Sequence, residues 1–579
     1  MSEEKKELTG YPSIDKPWLK YYSDEAINAE LPNCSMYHYL YERNKDYLNN
    51  NAIEYFGTEL TYGELIKQID ICASALFEHG VREGDIISIC TLTMPETVYL
   101  LYGANKIGAV CNMIGLNSSI EDLNVQLKLT ESKYLFVVEM AYEKLIEASI
   151  DTDVKMIVSI PLESSMPLIM RKIVSLKNKH PKLRKNDKNW NEFIKPISNE
   201  NVREENKGKA LAIIEYTGGT TGVPKGVMIS NNAANAYAAH YGIHYNDSNT
   251  VFDIMRKHKF LNVLPPFLSF GTFACTHMPL SLGVQVILFP DPSPEKMPDL
   301  IIKYRPNHFC CGPLHIDAIM NNKKIQSMDL SFVLSMIYGG EKVNDEWKDA
   351  VNLFLMEHSS KYHVINGYGM TETASAVCVV PHKYDVLIPY AKNNLKIVDT
   401  EKGVELPYGK EGEICISSPS LMSGYYKEPD ETEKVLFYEN GEKWLHTGDL
   451  GVISENGSIS ITGRLKRIYW CKRDGMVVRV YPMRIEEIIC RLGFVDKCTV
   501  IGKKDNEVGY RSIAFVILAD KKIKDNNMVI DQITDYCRKN LPANHIPDEY
   551  VFVNSFPLTR AGKVDYRELE KMANENYNL

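Results

Sequence analysis

The run Tyr216-Thr217-Gly218-Gly219-Thr220-Thr221-Gly222-Val223-Pro224-Lys225-Gly226, directly after the apolar stretch LAIIE, constrains this chain more than any other feature. Its four glycines and one proline continue neither a strand nor a helix, so the chain must open into a loop there. Glycines let successive backbone N–H groups close around a phosphate. The hydroxyls of Thr217, Thr220 and Thr221 add donors, and Lys225 adds a mobile positive charge. That combination is a cradle for a triphosphate. The GxxxxGK[ST] spacing of a Walker A loop is absent, which removes the main support for a P-loop kinase or ATPase.

A loop of this kind needs a sheet behind it. Between about Leu60 and Leu300, IISICTL, KMIVSI, ALAIIEYT and VQVILF read as short buried strands that alternate with helical patterns such as YGELIKQIDICASALFEHG. This is the α/β signature of parallel sheets covered by helices, with two such sheets in one large unit. From about Ile414 to Gly463 the pattern changes to short strands broken by Gly, Pro, Asn and Ser, which predicts a small antiparallel β-barrel or sheet. At 579 residues the chain is too long for one core. We expect an N-terminal domain, 1–463, and a smaller mobile α+β domain, 464–579, with a helix over Pro482–Cys490 and a strand at IAFVIL.

Composition narrows the function. With 44% hydrophobic and 24% charged residues the chain can bury a sizeable core, and its net charge of -9 disfavours nucleic acid and gives no overall attraction to anionic membranes. The 13 cysteines form no CxxC pair or CxxH cluster, so neither zinc nor a disulfide framework is suggested, and a reducing cytoplasm fits. No apolar run reaches the length of a membrane span, and the N-terminus lacks a signal-peptide core. The basic stretch Met170–Trp190 has two readings, a solvated surface loop first and, as the alternative, a patch for an anionic membrane surface or a carrier partner.

Further ordered motifs accompany the glycine run: Leu60-Thr61-Tyr62-Gly63-Glu64-Leu65, Asn366-Gly367-Tyr368-Gly369-Met370-Thr371-Glu372-Thr373, Trp444-Leu445-His446-Thr447-Gly448-Asp449-Leu450, Gly463-Arg464-Leu465-Lys466 and Pro557-Leu558-Thr559-Arg560-Ala561-Gly562-Lys563. Together they resemble the adenylate-forming superfamily of acyl-CoA synthetases, nonribosomal-peptide adenylation domains and luciferases, and the resemblance spans nearly the whole chain. It implies that Thr217, Gly218, Gly219, Thr220, Thr221 and Lys225 bind ATP phosphates. Asn366, Gly367, Tyr368 and Gly369 would line the adenine, with the Tyr368 ring offering a stacking face. Thr371 would meet a phosphate oxygen and Glu372 would hold Mg²⁺, a hard cation suited to carboxylate oxygen. Asp449 and Arg464 would contact the ribose. Gly339, Gly340 and Glu341 resemble the segment lining the acyl and adenine pockets.

The resemblance also implies a mechanism: Thr221 and Glu372 assist adenylation, and Lys563 stabilises charge building between the incoming carboxylate and the α-phosphate. Lys466 would be the hinge about which the C-terminal domain turns for the thiol step. The expected reaction converts a carboxylic acid, ATP and CoA to acyl-CoA, AMP and pyrophosphate. The segment Arg467–Tyr481 departs from the family's shorter turn near the thiol tunnel, so loading of a carrier protein stays open as the alternative. In Leu264–Gly271 no aspartate is present to bind an α-amine, which argues against amino acids. Phe267, Leu268 and Phe270 favour a fatty or aryl tail.

Overall fold

The computed structural model describes residues 8–178, 180–195, 202–217, 224–244, 255–339, 343, 345–380, 386–473, 476–505, 507–519, 526–542, 545–559 and 563–575. The stretch before the glycine run forms the strand Leu211–Tyr216, whose four central residues are buried. It lies within an eight-stranded sheet, hydrogen-bonded on one side to Val110–Met113 in parallel and on the other to Gly226–Ser230 antiparallel. Beyond Val110–Met113 the parallel order continues through Ile86–Cys90, Tyr134–Val138 and Met156–Ile160. These strands are runs of Val, Ile, Leu and Cys because helices cover both faces.

A nine-stranded sheet has the same plan. Its parallel centre runs through Asn51–Tyr55, Gln285–Leu288, Lys259–Asn262, His308–Cys311, Ser335–Tyr338 and Ile365–Met370, with antiparallel strands at both edges. One continuous apolar core joins the two sheets. The expected helix appears as Tyr62–Glu78, started by a capping box in which Thr61 and Glu64 satisfy each other's backbone N–H. The small β unit is a five-stranded antiparallel sheet that begins at Asn394, earlier than the Gly-rich pattern suggested.

After Gly463 come the hairpin Tyr469–Arg473 with Met476–Val480, a three-stranded sheet and the helices Pro482–Cys490, Asn526–Asn540 and Tyr566–Asn574. Two apolar clusters fill this unit, one around Val500, Val516 and Ile533 and one around Phe515 and Leu569. Arg484 donates to Glu411 of the β unit at 2.5 Å.

One expectation fails. The α-helix Leu168–Lys177 runs into the basic stretch, so residues 170–177 of that stretch are helix and not loop. Ten residues free of glycine and proline, rich in Leu, Met, Lys and Arg, favour helix locally even though charge density marks them as solvated. Among the described residues no helix is long and apolar enough to cross a membrane.

Candidate active site

The glycine run joins two antiparallel neighbours. The Thr217 N–H donates to the Lys225 carbonyl at 3.2 Å, closing the stem where Tyr216 faces Gly226. Gly218, Gly219, Thr220 and Thr221 lie outside the described residues, as do Gly340 and Glu341. Lys225 is half-buried, its ammonium paired with Glu431 and 4.9 Å from the centre of the Tyr425 ring. Glu431 is held down at about 2, first by Lys225 and then by Lys434.

Tyr425 connects this lysine to the NGYGMTET motif. The two-residue strand Gly424–Tyr425 pairs with Val227 and Met228 just beyond the loop stem. The Tyr425 hydroxyl donates to Glu372 Oε1 at 2.8 Å, and the Met422 N–H donates to the Glu372 carbonyl at 2.8 Å. Glu372 sits in the single helical turn Thr371–Thr373, fixed by the Thr373 hydroxyl accepting the Met370 N–H at 3.0 Å. Upstream, Asn366 pairs with Tyr338 across the parallel sheet. Gly367 and Gly369 follow. At Gly369 an added Cβ would stand 2.0 Å from the Ser375 carbonyl oxygen, so no larger residue fits without moving the neighbouring strand.

Asp449 lies opposite Arg464 in the register of the strands Glu442–Ile453 and Ile459–Arg464. Arg464 Nε donates to Asp449 Oδ1 at 2.7 Å, and the Tyr368 hydroxyl donates to Oδ2 at 3.0 Å. Three residues that the sequence places in separate motifs therefore meet on one carboxylate. Beside it Arg464 is held further above its usual range, while burial pushes the Tyr368 hydroxyl well up.

The turn before Asp449 is braced by Glu413. One carboxylate oxygen accepts the Gly448 N–H at 2.9 Å and the other lies 2.8 Å from His446 Nδ1. Gly448 has φ +71°, which glycine adopts without strain. The Thr447 hydroxyl donates to the Ile414 carbonyl at 2.7 Å and accepts the Asp449 N–H at 3.0 Å.

Phe267, Leu268 and Phe270 are half-buried where their neighbours Phe273 and Ala274 are fully buried. They enter the π-helix Phe270–His277, a form often found at functional sites. The Phe270 ring lies 3.6 Å from where a Cβ on Gly339 would stand, and the Phe267 ring 3.3 Å from one on Gly115. Glycine at both positions leaves room beside the rings.

Lys466 is exposed in the turn Leu465–Arg467. The next residue, Arg467, fastens the C-terminal unit: it pairs with Glu486, donates to the Val500 carbonyl at 3.1 Å and lies 4.0 Å from the Tyr566 ring centre. Lys563 is exposed on a turn closed by pairing of Leu558 with Val564. Sequence reasoning missed Tyr425, Glu431 and Glu413. Their only local signals were a Gly-Tyr-Tyr triplet, a short acidic helix and a Gly-Glu pair.

Residues 40–426 match the family described as AMP-binding enzyme, and residues 484–563 match the AMP-binding enzyme C-terminal domain. The chain belongs to this family, the adenylate-forming superfamily. It is 25% identical over 584 residues to a long-chain-fatty-acid–CoA ligase of Bacillus subtilis (strain 168), covering 97% of this chain and 99% of that protein. It is also 25% identical over 523 residues to 4-coumarate–CoA ligase 3 of Arabidopsis thaliana, covering 89% and 86%. The solved structure of the anthranilate CoA ligase AuaEII with anthranoyl-AMP has the same fold, with TM-score 0.77, 21% identity and coverage of 96% and 100%.

Proposed function

We propose that this protein is an AMP-forming acid–CoA ligase acting on a carboxylic acid with a fatty or aryl tail. The observation that carries the reading is the convergence of Tyr368 and Arg464 on Asp449, with Glu372 four residues beyond Tyr368 and joined through Tyr425 to Lys225. The arrangement gives one ledge with a ribose end and a phosphate end. The family match and the CoA ligases among its relatives support the same assignment.

In the first half-reaction a carboxylate oxygen attacks the α-phosphorus of ATP, and the bond to the β-phosphate oxygen breaks to release pyrophosphate. In the second a CoA sulfur attacks the acyl carbon and AMP leaves. Lys225 would exchange Glu431 for phosphate oxygens, and Asp449, freed in part from Arg464 and Tyr368, would accept the ribose hydroxyls. Glu372 fits a magnesium ligand, since its carboxylate is a half-buried hard donor already oriented by Tyr425, and the ion would supply neutralising charge at the phosphates. Thr221 and Thr371 would donate to phosphate oxygens. Lys563 would stand between carboxylate and α-phosphate, then withdraw as the C-terminal unit, residues 464–579, turns about Lys466. Catalysis of this type rests on positioning and charge stabilisation rather than on a covalent enzyme intermediate.

The reading is tested by pyrophosphate release from ATP with fatty, aryl and amino acids, with and without CoA. Turnover with one apolar acid class that requires CoA supports it. Acid-dependent release that CoA does not accelerate points to a carrier-protein thiol, and no release with any acid refutes the ligase.

A further inference from the structure

The helix Leu168–Lys177 buries none of its residues completely. Leu168, Ile169, Ile173 and Leu176 are 71%, 77%, 49% and 87% exposed. At the helical repeat these four fall within one arc of about 140°. Lys172 lies inside that arc, Arg171 and Lys177 flank it, and all three are exposed. Val174, on the opposite side, packs against the core of the body. By contrast the helix Tyr62–Glu78 turns its apolar residues inward.

The aliphatic face is held outward by its anchors. His180 lies 2.9 Å from the Ser175 hydroxyl and 2.9 Å from Glu139, and Arg171 donates to the Met166 carbonyl at 3.2 Å. Met140, next in the chain to Glu139, is 75% exposed and adds a further apolar side chain beside the anchor. From Arg171 to Lys188 the sequence holds eight lysines and arginines and one acid, Asp187, which is buried and paired with Arg184 at 2.7 Å. This concentration of positive charge stands in a chain of net charge -9.

We propose that this helix docks the protein on an anionic lipid surface, its aliphatic arc among the upper acyl chains and Arg171, Lys172 and Lys177 on lipid phosphates. An acidic protein partner would answer the cations but leave four long aliphatic side chains in water. A bilayer surface answers both, and an apolar face flanked by cations is the pattern of helices that lie in the interface plane. Docking is peripheral and depends on charge, so the whole molecule's acidity does not oppose it beyond a Debye length. The inference is independent of the ligase reaction.

The test is sedimentation of the full chain with vesicles of phosphatidylcholine alone or mixed with phosphatidylglycerol. The expected result is binding to the mixed vesicles, lost on raising salt. Ile169→Ser with Leu176→Ser, and separately Lys172→Glu with Lys177→Glu, should each lower partitioning about tenfold or more. Neither pair should change the melting temperature, because none of the four side chains is buried. Failure of the unaltered protein to bind, or binding equal for all variants and both vesicles, overturns the proposal. So does a dimer in gel filtration that Ile169→Ser with Leu176→Ser dissociates, which would give the face to a second copy. Binding of an acidic carrier protein in place of vesicles would give it to that partner.

Discussion

Asp449 and Lys563 are held in opposite ways. Asp449 is fixed by strand register, braced from behind by Glu413 and Thr447, and engaged on both oxygens. Lys563 stands exposed on a turn whose backbone is closed by the Thr559 N–H donating to the Lys563 carbonyl at 2.6 Å and by the Lys563 N–H donating to the Thr559 hydroxyl at 3.2 Å. A ledge that receives a nucleotide gains from rigidity, because donors already in place cost no reorganisation during reaction. On the proposed mechanism Lys563 would be required in one half-reaction and obstructive in the next, so it would have to be deliverable. Lys563→Ala should therefore slow acyl-adenylate formation by about 100- to 1000-fold, while thioester formation from supplied acyl-AMP changes little. Equal losses in both half-reactions, measured by single turnover, would break the contrast.

Rigidity has a cost on the nucleotide side. Glu215 lies two residues before Thr217 in the strand that carries the glycine run, and it is fully buried. Neither of its carboxyl oxygens has a close hydrogen-bonding partner among the described residues, and burial pushes the carboxyl up to about 8, only partly offset by the nearby Thr272 hydroxyl. The folded protein therefore keeps a proton that the unfolded chain releases near its ordinary value of 4.5. Stability is undiminished below that value, falls as pH rises from about 4.5 to 8, and levels off above, a loss on the order of a few kcal/mol. Glu215→Gln should remove this slope, so its advantage in melting temperature over the unaltered protein grows from pH 5 to pH 8. Parallel profiles for the two proteins would show that the group is solvated in solution.

A smaller effect is expected where the brace acts through its charge. Glu413→Gln keeps the shape of the contact with the Gly448 N–H but removes the carboxylate beside His446. The KM for ATP should rise about tenfold with the KM for the acid unchanged, since Glu413 positions the Asp449 turn and lies on the β unit rather than at Phe267 and Phe270. A matching rise in both would mean that the two pockets are not separately built.

Much of the body was legible because its signals are local. Buried strands such as Met156–Ile160 and the helix Pro482–Cys490 are written in short apolar periodicities, and the residues that meet at Asp449 each sit in a recognisable motif. What escaped depends on distant register. Tyr425 reaches Glu372 because Gly424–Tyr425 pairs with a strand nearly two hundred residues earlier, and no local pattern encodes that pairing. Residues 170–177 escaped for another reason: their charge density points to a solvated loop, while the intrinsic propensity of the segment Leu168–Lys177 makes a helix.

Lys225 mixes the two modes, since its strand is fixed while its charge rests on an exchangeable partner. If Lys225 serves ATP as proposed, the nucleotide would have to displace Glu431, and the pair is half-exposed, so the competition would be weak. Glu431→Gln should lower the KM for ATP about two- to threefold without changing kcat. The acid is held down at about 2, so the pair keeps its charge above that pH and loses it only as pH falls through it. The ratio between the two proteins should thus stay constant across the working range. A raised KM would reverse the interpretation: Glu431 would then aim Lys225 at the phosphates, and the lysine would belong with Asp449 among the groups fixed before the nucleotide arrives.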